Sequence, residues 1–235
     1  MNQTHLEKDN ITNYLETFKK DKVVVVPNFL NEEWANKLFW FLDNMNENWW
    51  HKATFGDGKK KYTREFQNEI TTCQIQKLRL NSMESFKQKK FSYTFSRTIN
   101  DHIKNCVCVE CKFKQDIIRN PKIIRWLADI TGHDITVPTE SFCSKYTSRD
   151  FLSIHTDEPK GKIAFVLNMT KDWNPVFGGN LHILAPGNVD VEKVLVPKFN
   201  NISIFDISDG GKPHFVSHVV EGVQQKRISY TGWYN

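Results

Sequence analysis

Eight short strand-like runs, each closed by turn-forming residues, fill the chain from Ile135 onward and confine it to a closed or double-layered β architecture. They lie roughly over Glu140 to Thr147, Phe151 to Thr156, Lys162 to Met169, Asn180 to Leu184, Val191 to Val196, Ile202 to Phe205, Phe215 to Val220 and Arg227 to Trp233. Between them stand Asp172-Trp-Asn-Pro175, Gly178-Gly179, Pro186-Gly187 and Asp209-Gly-Gly211, residues that favour turns over ladder pairing. Eight such strands with Gly and Pro turns predict a jelly roll, a double-stranded β-helix.

Upstream, the period of the pattern changes. Ile11, Tyr14, Leu15 and Phe18 keep helical spacing, and Val23 to Val26 reads as a strand closed by Pro27. Asn31 can cap a second helix with an apolar stripe through Trp34, Leu38, Phe39 and Leu42. A third helix is expected over Pro121 to Ile130, ended by Gly132. From Trp49 to Lys114 no long periodic helix is legible. At 235 residues the chain is expected to form one domain that is mainly β with flanking helices. Residues 1–134 would give helical support and an insertion, and 135–235 the jelly-roll core.

Composition narrows the partners. The 32 basic and 27 acidic residues leave a net charge of +5, too small an excess to signal nucleic-acid binding. The basic runs at Gly58 to Arg64 and Lys87 to Lys90 read as solvated faces. No apolar run approaches the roughly 18 residues of a spanning helix. Met1 to Lys8 are polar and lack a secretion signal's apolar stretch, so a cytoplasmic protein without membrane attachment is expected. Five cysteines, an odd number, then argue for reduced thiols. Three of them, Cys106, Cys108 and Cys111, follow His102 closely, a donor set that suits a small structural zinc. Cys-x-Cys-x2-Cys departs from the commoner paired knuckles, and a chance grouping of small buried thiols is the alternative.

The chemistry-bearing residues are His155, Asp157, a later histidine and Arg227. On a strand running through Asp157, His155 and Asp157 share a face, so an imidazole and a carboxylate reach one ion together. A second histidine would complete three ligands on one side of an octahedral ion and leave the other side open, as in non-haem Fe(II) oxygenases. His214 and His218 compete for this place, and His218, a hairpin's length ahead of Arg227, is preferred. Arg227 and Ser229, again two apart on a strand, bring a guanidinium and a hydroxyl to one side, where a carboxylate is gripped bidentately.

At these positions the sequence resembles the 2-oxoglutarate and Fe(II)-dependent oxygenases, on their prolyl-hydroxylase-like branch. The resemblance runs through Tyr146, His155-x-Asp157, Gly178-Gly-Asn-Leu181, Phe205, His218, Arg227-x-Ser229 and Gly232-Trp233, about the last third of the chain, and extends to the opening Val25-Val-Pro-Asn-Phe-Leu-Asn-Glu-Glu-Trp34. It implies a cupin-like jelly roll in which His155, Asp157 and His218 bind iron and Arg227, with Ser229 and Tyr146 nearby, binds 2-oxoglutarate. It further implies stimulation by ascorbate and hydroxylation of an unactivated C–H bond of proline or another amino acid, free or in a peptide or protein. Insertions such as Trp49 to Lys114 often cover the active-site mouth in this fold and shape substrate choice. Asp157 argues against a halogenase, where a small residue replaces the carboxylate. A nucleic-acid demethylase of the same superfamily would carry a second Arg soon after the first. None follows Arg227. A non-catalytic binding module would show a broken triad, and a cupin without 2-oxoglutarate would not need Arg227.

Overall fold

β5 (Pro138–Tyr146) and β12 (Arg227–Tyr234) pair antiparallel along most of their length, with Arg227 opposite Tyr146 and Gly232 opposite Ser141. This pair is the spine around which the computed structural model is built; it describes residues 4, 10–64, 72–99, 105–187 and 190–235. The other strands are β1 (Val23–Val26), β2 (His51–Gly56), β3 (Lys59–Arg64), β4 (Tyr93–Arg97), β6 (Phe151–His155), β7 (Ile163–Asn168), β8 (Leu181–Leu184), β9 (Val191–Leu195), β10 (Ile202–Asp206) and β11 (His214–Val216). They hydrogen-bond in the order β1-β10-β7-β12-β5-β4-β6-β11-β8-β9, with β2 added to β4 and β3 to β2. β4 joins the two halves. Its Ser96 and Arg97 pair with β5, and its Tyr93 and Thr94 pair with β6.

The two-residue period of β12 sorts its side chains between two cores. Ile228, Tyr230 and Tyr234 face α1 (Ile11–Asp21), α2 (Glu32–Asp43) and α5 (Pro121–Thr131), where Phe18, Leu38, Trp126 and Ile130 complete an outer core with Phe165 and Ile204. Arg227, Ser229, Thr231 and Trp233 face the interior of the barrel. Each fully buried residue of the outer core, such as Leu38 or Phe165, contributes about 1.5–3 kcal/mol by leaving water. That layer fixes the spine from behind. The helices end as expected: Asn31 accepts a hydrogen bond from the Trp34 amide at 2.8 Å, and Gly132 caps α5 in the left-handed conformation.

Two expectations are corrected. The insertion does hold a long helix, α3 (Thr72–Lys87), beside the β2–β3 hairpin. Its packed face is built on small polar residues, Ser82 and Ser85, while Leu80 points to solvent, so the apolar period is missing. Ser85 instead accepts the Asp57 amide at 3.0 Å, and a Cβ on Gly56 would lie 2.9 Å from the Asn81 carbonyl oxygen. Close approach replaces apolar packing here. The strand expected over Phe215 to Val220 is only His214–Val216, because the chain beyond it turns to pair elsewhere: the Gly179 amide donates to the Ser217 carbonyl and Gly178 bridges Val219. A Cβ at Gly178, whose φ is 72°, would fall 2.0 Å from the His218 carbonyl oxygen, so glycine is required at that crossing.

Among the described residues no helix is long and apolar enough to cross a membrane.

Candidate active site

β6 and β11 are antiparallel neighbours, and their register sets His214 directly opposite His155. The imidazoles lie 4.2 Å apart between ring centres, and ligand atoms of His155, Asp157 and His214 all fall within 4.8 Å of one another. This is the expected donor set with one correction: His214, not His218, completes it. His218 stacks on Phe151 at 4.2 Å, meets Phe86 edge-on and has its Nε2 3.2 Å from the Met83 sulfur. It packs against α3, away from the cluster. Spacing to Arg227 misled because β11 ends at Val216 and the Arg149-Asp150 turn draws Val219 aside through two backbone hydrogen bonds of 2.9 Å.

A second correction concerns how His155 and Asp157 meet. β6 ends at His155, and Asp157 lies in a turn with φ 63°, so their convergence is not that of a strand face. Leu152 and His155, three apart, both line the cavity because the β6–β11 register shifts between their pairs. Asp150 anchors the start of β6 through Lys52 at 2.5 Å and the Thr147 amide at 3.0 Å.

The hydrogen bonds dictate how the two imidazoles are presented. His155 Nδ1 lies 2.9 Å from the Ser153 carbonyl and His214 Nδ1 lies 2.7 Å from the Lys212 carbonyl. A carbonyl oxygen only accepts, so each Nδ1 carries the proton and each Nε2 turns its lone pair to the space beside Asp157, whose oxygens lie 3.5 Å from both. Burial, reinforced by the neighbouring His214 imidazole, lowers the His155 pKa to about 3. The ring stays neutral, as a metal ligand must. Burial alone would raise the Asp157 carboxyl, but its neighbours His214, His155 and Lys160 outweigh it and hold it below the usual range.

Two residues steady Asp157 that sequence reasoning did not connect to it. Trp233 Nε1 donates to Oδ2 at 2.9 Å, and Lys160 Nζ donates to Oδ1 at 2.6 Å while sitting 3.9 Å over the Trp233 ring. Trp233 was visible as part of the final motif, whereas nothing local marks Lys160. Hydrogen-bond partners of ligands are worth about 10–100-fold in metal affinity or activity, so Trp233→Phe is expected to weaken Fe(II) retention by that factor. Iron titration of the folded variant measures it, and an unchanged affinity would remove Trp233 from the site.

Arg227, Tyr146 and Ser229 line the same cavity as His155, Asp157 and His214. The Arg227 guanidinium is buried 4.9 Å over the Tyr146 ring, makes no ion pair among the described residues, and has an Nε without a hydrogen-bond partner. Burial lowers its pKa, opposed by Tyr146. A Cβ on Gly179 would stand 3.2 Å from the Arg227 Cδ, so this glycine leaves room for the stem. Ser229 shares a 2.8 Å hydrogen bond with Ser144, and Tyr146 stacks on Phe95 at 5.1 Å. A buried guanidinium lacking a counter-ion, facing a cavity, fits a carboxylate that arrives from outside. The donors fit as well, since two neutral imidazoles and a carboxylate suit Fe(II).

The remaining wall is aromatic, with Phe91, Tyr93, Phe95, Phe142 and Phe205. Phe205 meets the His214 ring edge-on at 4.7 Å. A charged pair interrupts the wall: Arg97 lies 3.4 Å over Phe142 and donates to Glu140 at 2.7 Å.

Residues 141–235 match the family model of the 2OG-Fe(II) oxygenase superfamily. Across 116 residues, 46% of this chain, the sequence is 32% identical to mouse (Mus musculus) "Prolyl 3-hydroxylase OGFOD1", of whose length it spans only 21%. Among solved structures, a prolyl hydroxylase from Trichoplax adhaerens, in complex with a hypoxia inducible factor oxygen degradation domain peptide fragment, superposes with a TM-score of 0.61 at 16% identity, covering 97% of this chain and 90% of that one. A 2OG-Fe(II) oxygenase family oxidoreductase from Burkholderia pseudomallei gives the same score at 13% identity, covering 97% and 92%. Residues 141–235 thus carry a likeness to the 2OG-Fe(II) oxygenase superfamily, and the fold is the jelly roll expected from the strands.

Proposed function

We propose that this chain hydroxylates an unactivated C–H bond, most naturally of a prolyl residue in a peptide or protein, using Fe(II) and 2-oxoglutarate. The observation that carries the reading is the single cavity shared by the His155, Asp157, His214 cluster and the unpaired Arg227 guanidinium. His155, Asp157 and His214 would hold the iron, which when bound supplies dioxygen activation coupled to oxidative decarboxylation of 2-oxoglutarate. Arg227 takes the far carboxylate of the cosubstrate in a two-pronged grip, with the Ser229 hydroxyl and the Tyr146 ring beside it. The aromatic wall excludes water and accepts an apolar ring such as that of proline, and Arg97 with Glu140 meets a peptide's polar groups. The prolyl hydroxylases among the relatives support the choice of proline, and ascorbate is expected to sustain turnover by keeping iron reduced.

Purified protein incubated with Fe(II), ascorbate and 2-oxoglutarate is expected to form succinate faster with prolyl peptides than without, and the peptide gains one oxygen atom. Succinate formed equally with free amino acids, methylated oligonucleotides or no added substrate would overturn the assignment to prolyl peptides. Asp157→Gly is expected to lose hydroxylation altogether, since it removes the anionic ligand that helps retain Fe(II). A chlorinated product from the unmodified protein in chloride buffer would instead point to a halogenase.

A further inference from the structure

Cys106, Cys108 and Cys111 have no part in the oxygenase chemistry, yet their sulfurs lie within 4.8 Å of one another. None is in a disulfide. Their convergence is built into a tight turn. Cys108 caps α4 (Val109–Phe113), its sulfur accepting the Cys111 amide at 3.5 Å, so Cys108 and Cys111 are held on one side of the first helical turn. A tetrahedral zinc with Zn–S bonds of about 2.3 Å spaces its sulfurs at about 3.8 Å, within the bound the structure sets. We propose that these three cysteines form a second metal site, separate from the iron centre, which binds Zn²⁺ as a three-thiolate cluster. Binding releases up to three thiol protons and forms three Zn–S bonds, with no change of oxidation state. Among the described residues no fourth His, Cys, Asp or Glu joins the group. Water completes the tetrahedron; His102, the fourth donor expected from the sequence, lies outside the described residues.

The site differs from the iron centre in the softness of its donors. Thiolates select zinc, whereas imidazole and carboxylate suit iron, so one chain sorts two metals by ligand type. It is also wired to the cavity. Glu110, between Cys108 and Cys111, accepts from Thr98 Oγ1 at 3.1 Å, and the same oxygen accepts the Cys143 amide at 3.0 Å. Thr98 follows Arg97 and Cys143 follows Phe142, the residue whose ring Arg97 covers in the cavity wall. Zinc would thus brace the Arg97 wall from behind.

The test uses the whole chain, kept reduced. Co²⁺ added to the protein is expected to give an intense thiolate-to-cobalt charge-transfer band, which the imidazole and carboxylate ligands of the iron centre cannot produce. His155→Ala keeps this band, and Cys106→Ser/Cys108→Ser/Cys111→Ser loses it. In the unmodified protein, added Zn²⁺ is expected to shield these three thiols from maleimide while exposed Cys73 still reacts, and a chelator abolishes the shielding. No band in the unmodified protein, a band that survives the triple substitution, or equal labelling of the three thiols with and without Zn²⁺ would each overturn the proposal. The labelling experiment decides even if the triple variant does not fold.

Discussion

His214→Ala is expected to lose Fe(II) binding and 2-oxoglutarate turnover together, whereas His218→Ala keeps both. Partners that merely orient a metal ligand are worth about 10–100-fold, so loss of a direct ligand should weaken iron by more than about 100-fold. His155→Ala should match His214→Ala, because the two rings face each other across β6 and β11 and each turns its Nε2 toward Asp157. His218 fills space between Phe151, Phe86 and Met83, so truncating it should lower stability by about 0.5–3 kcal/mol, as partly buried substitutions do. Anaerobic iron titration and succinate release measure the first effect, and thermal unfolding measures the second. An inactive His218→Ala that retains its fold, beside an active His214→Ala, would sink the assignment.

That pair of histidines also shows where sequence reasoning stops. Strand periodicity reaches β5, β7, β10 and β12 almost to the residue, because both faces of these strands are buried and the alternation between helix layer and cavity is strict. It places Arg227 and Ser229 on one side for the same reason. It fails at β6 and β11, where a register shift and a sharp end at Val216 break the alternation that a choice between His214 and His218 needs. Those breaks depend on Gly178, the Arg149-Asp150 turn and Val219, partners 41 to 70 residues apart that no local pattern joins. The α3 helix was hidden differently: its packed face is serine, so the helix carries no apolar stripe to read. The contacts of Lys160 with Asp157 and of Glu110 with Thr98 have no signature at all, since both are ordinary surface-type residues, one still exposed and the other buried on α4.

Arg227→Lys is expected to raise the 2-oxoglutarate requirement roughly 10- to 150-fold with little change in iron affinity. Lysine keeps the charge but loses the planar fork, and one charge-assisted hydrogen bond is worth about 1.5–3 kcal/mol. Arg227→Met separates cosubstrate recognition from stability. In the cosubstrate-free protein the guanidinium is buried and without an ion pair among the described residues, so its desolvation is offset only by the neighbouring Tyr146. Its replacement by an apolar chain of similar length should leave the unliganded protein as stable as before or more so. The same variant should lose the protection that 2-oxoglutarate gives the unmodified protein, about 2.7 kcal/mol at a ligand concentration 100 times Kd. Thermal unfolding with and without 2-oxoglutarate, on iron-free protein reconstituted with Fe(II) without oxygen, reads both quantities at once. If Arg227→Met were destabilised without ligand yet still protected by 2-oxoglutarate, the guanidinium would be a structural group and the cosubstrate would be held elsewhere in the cavity. Loss of protection with undiminished intrinsic stability is the signature of a charge kept buried for a ligand.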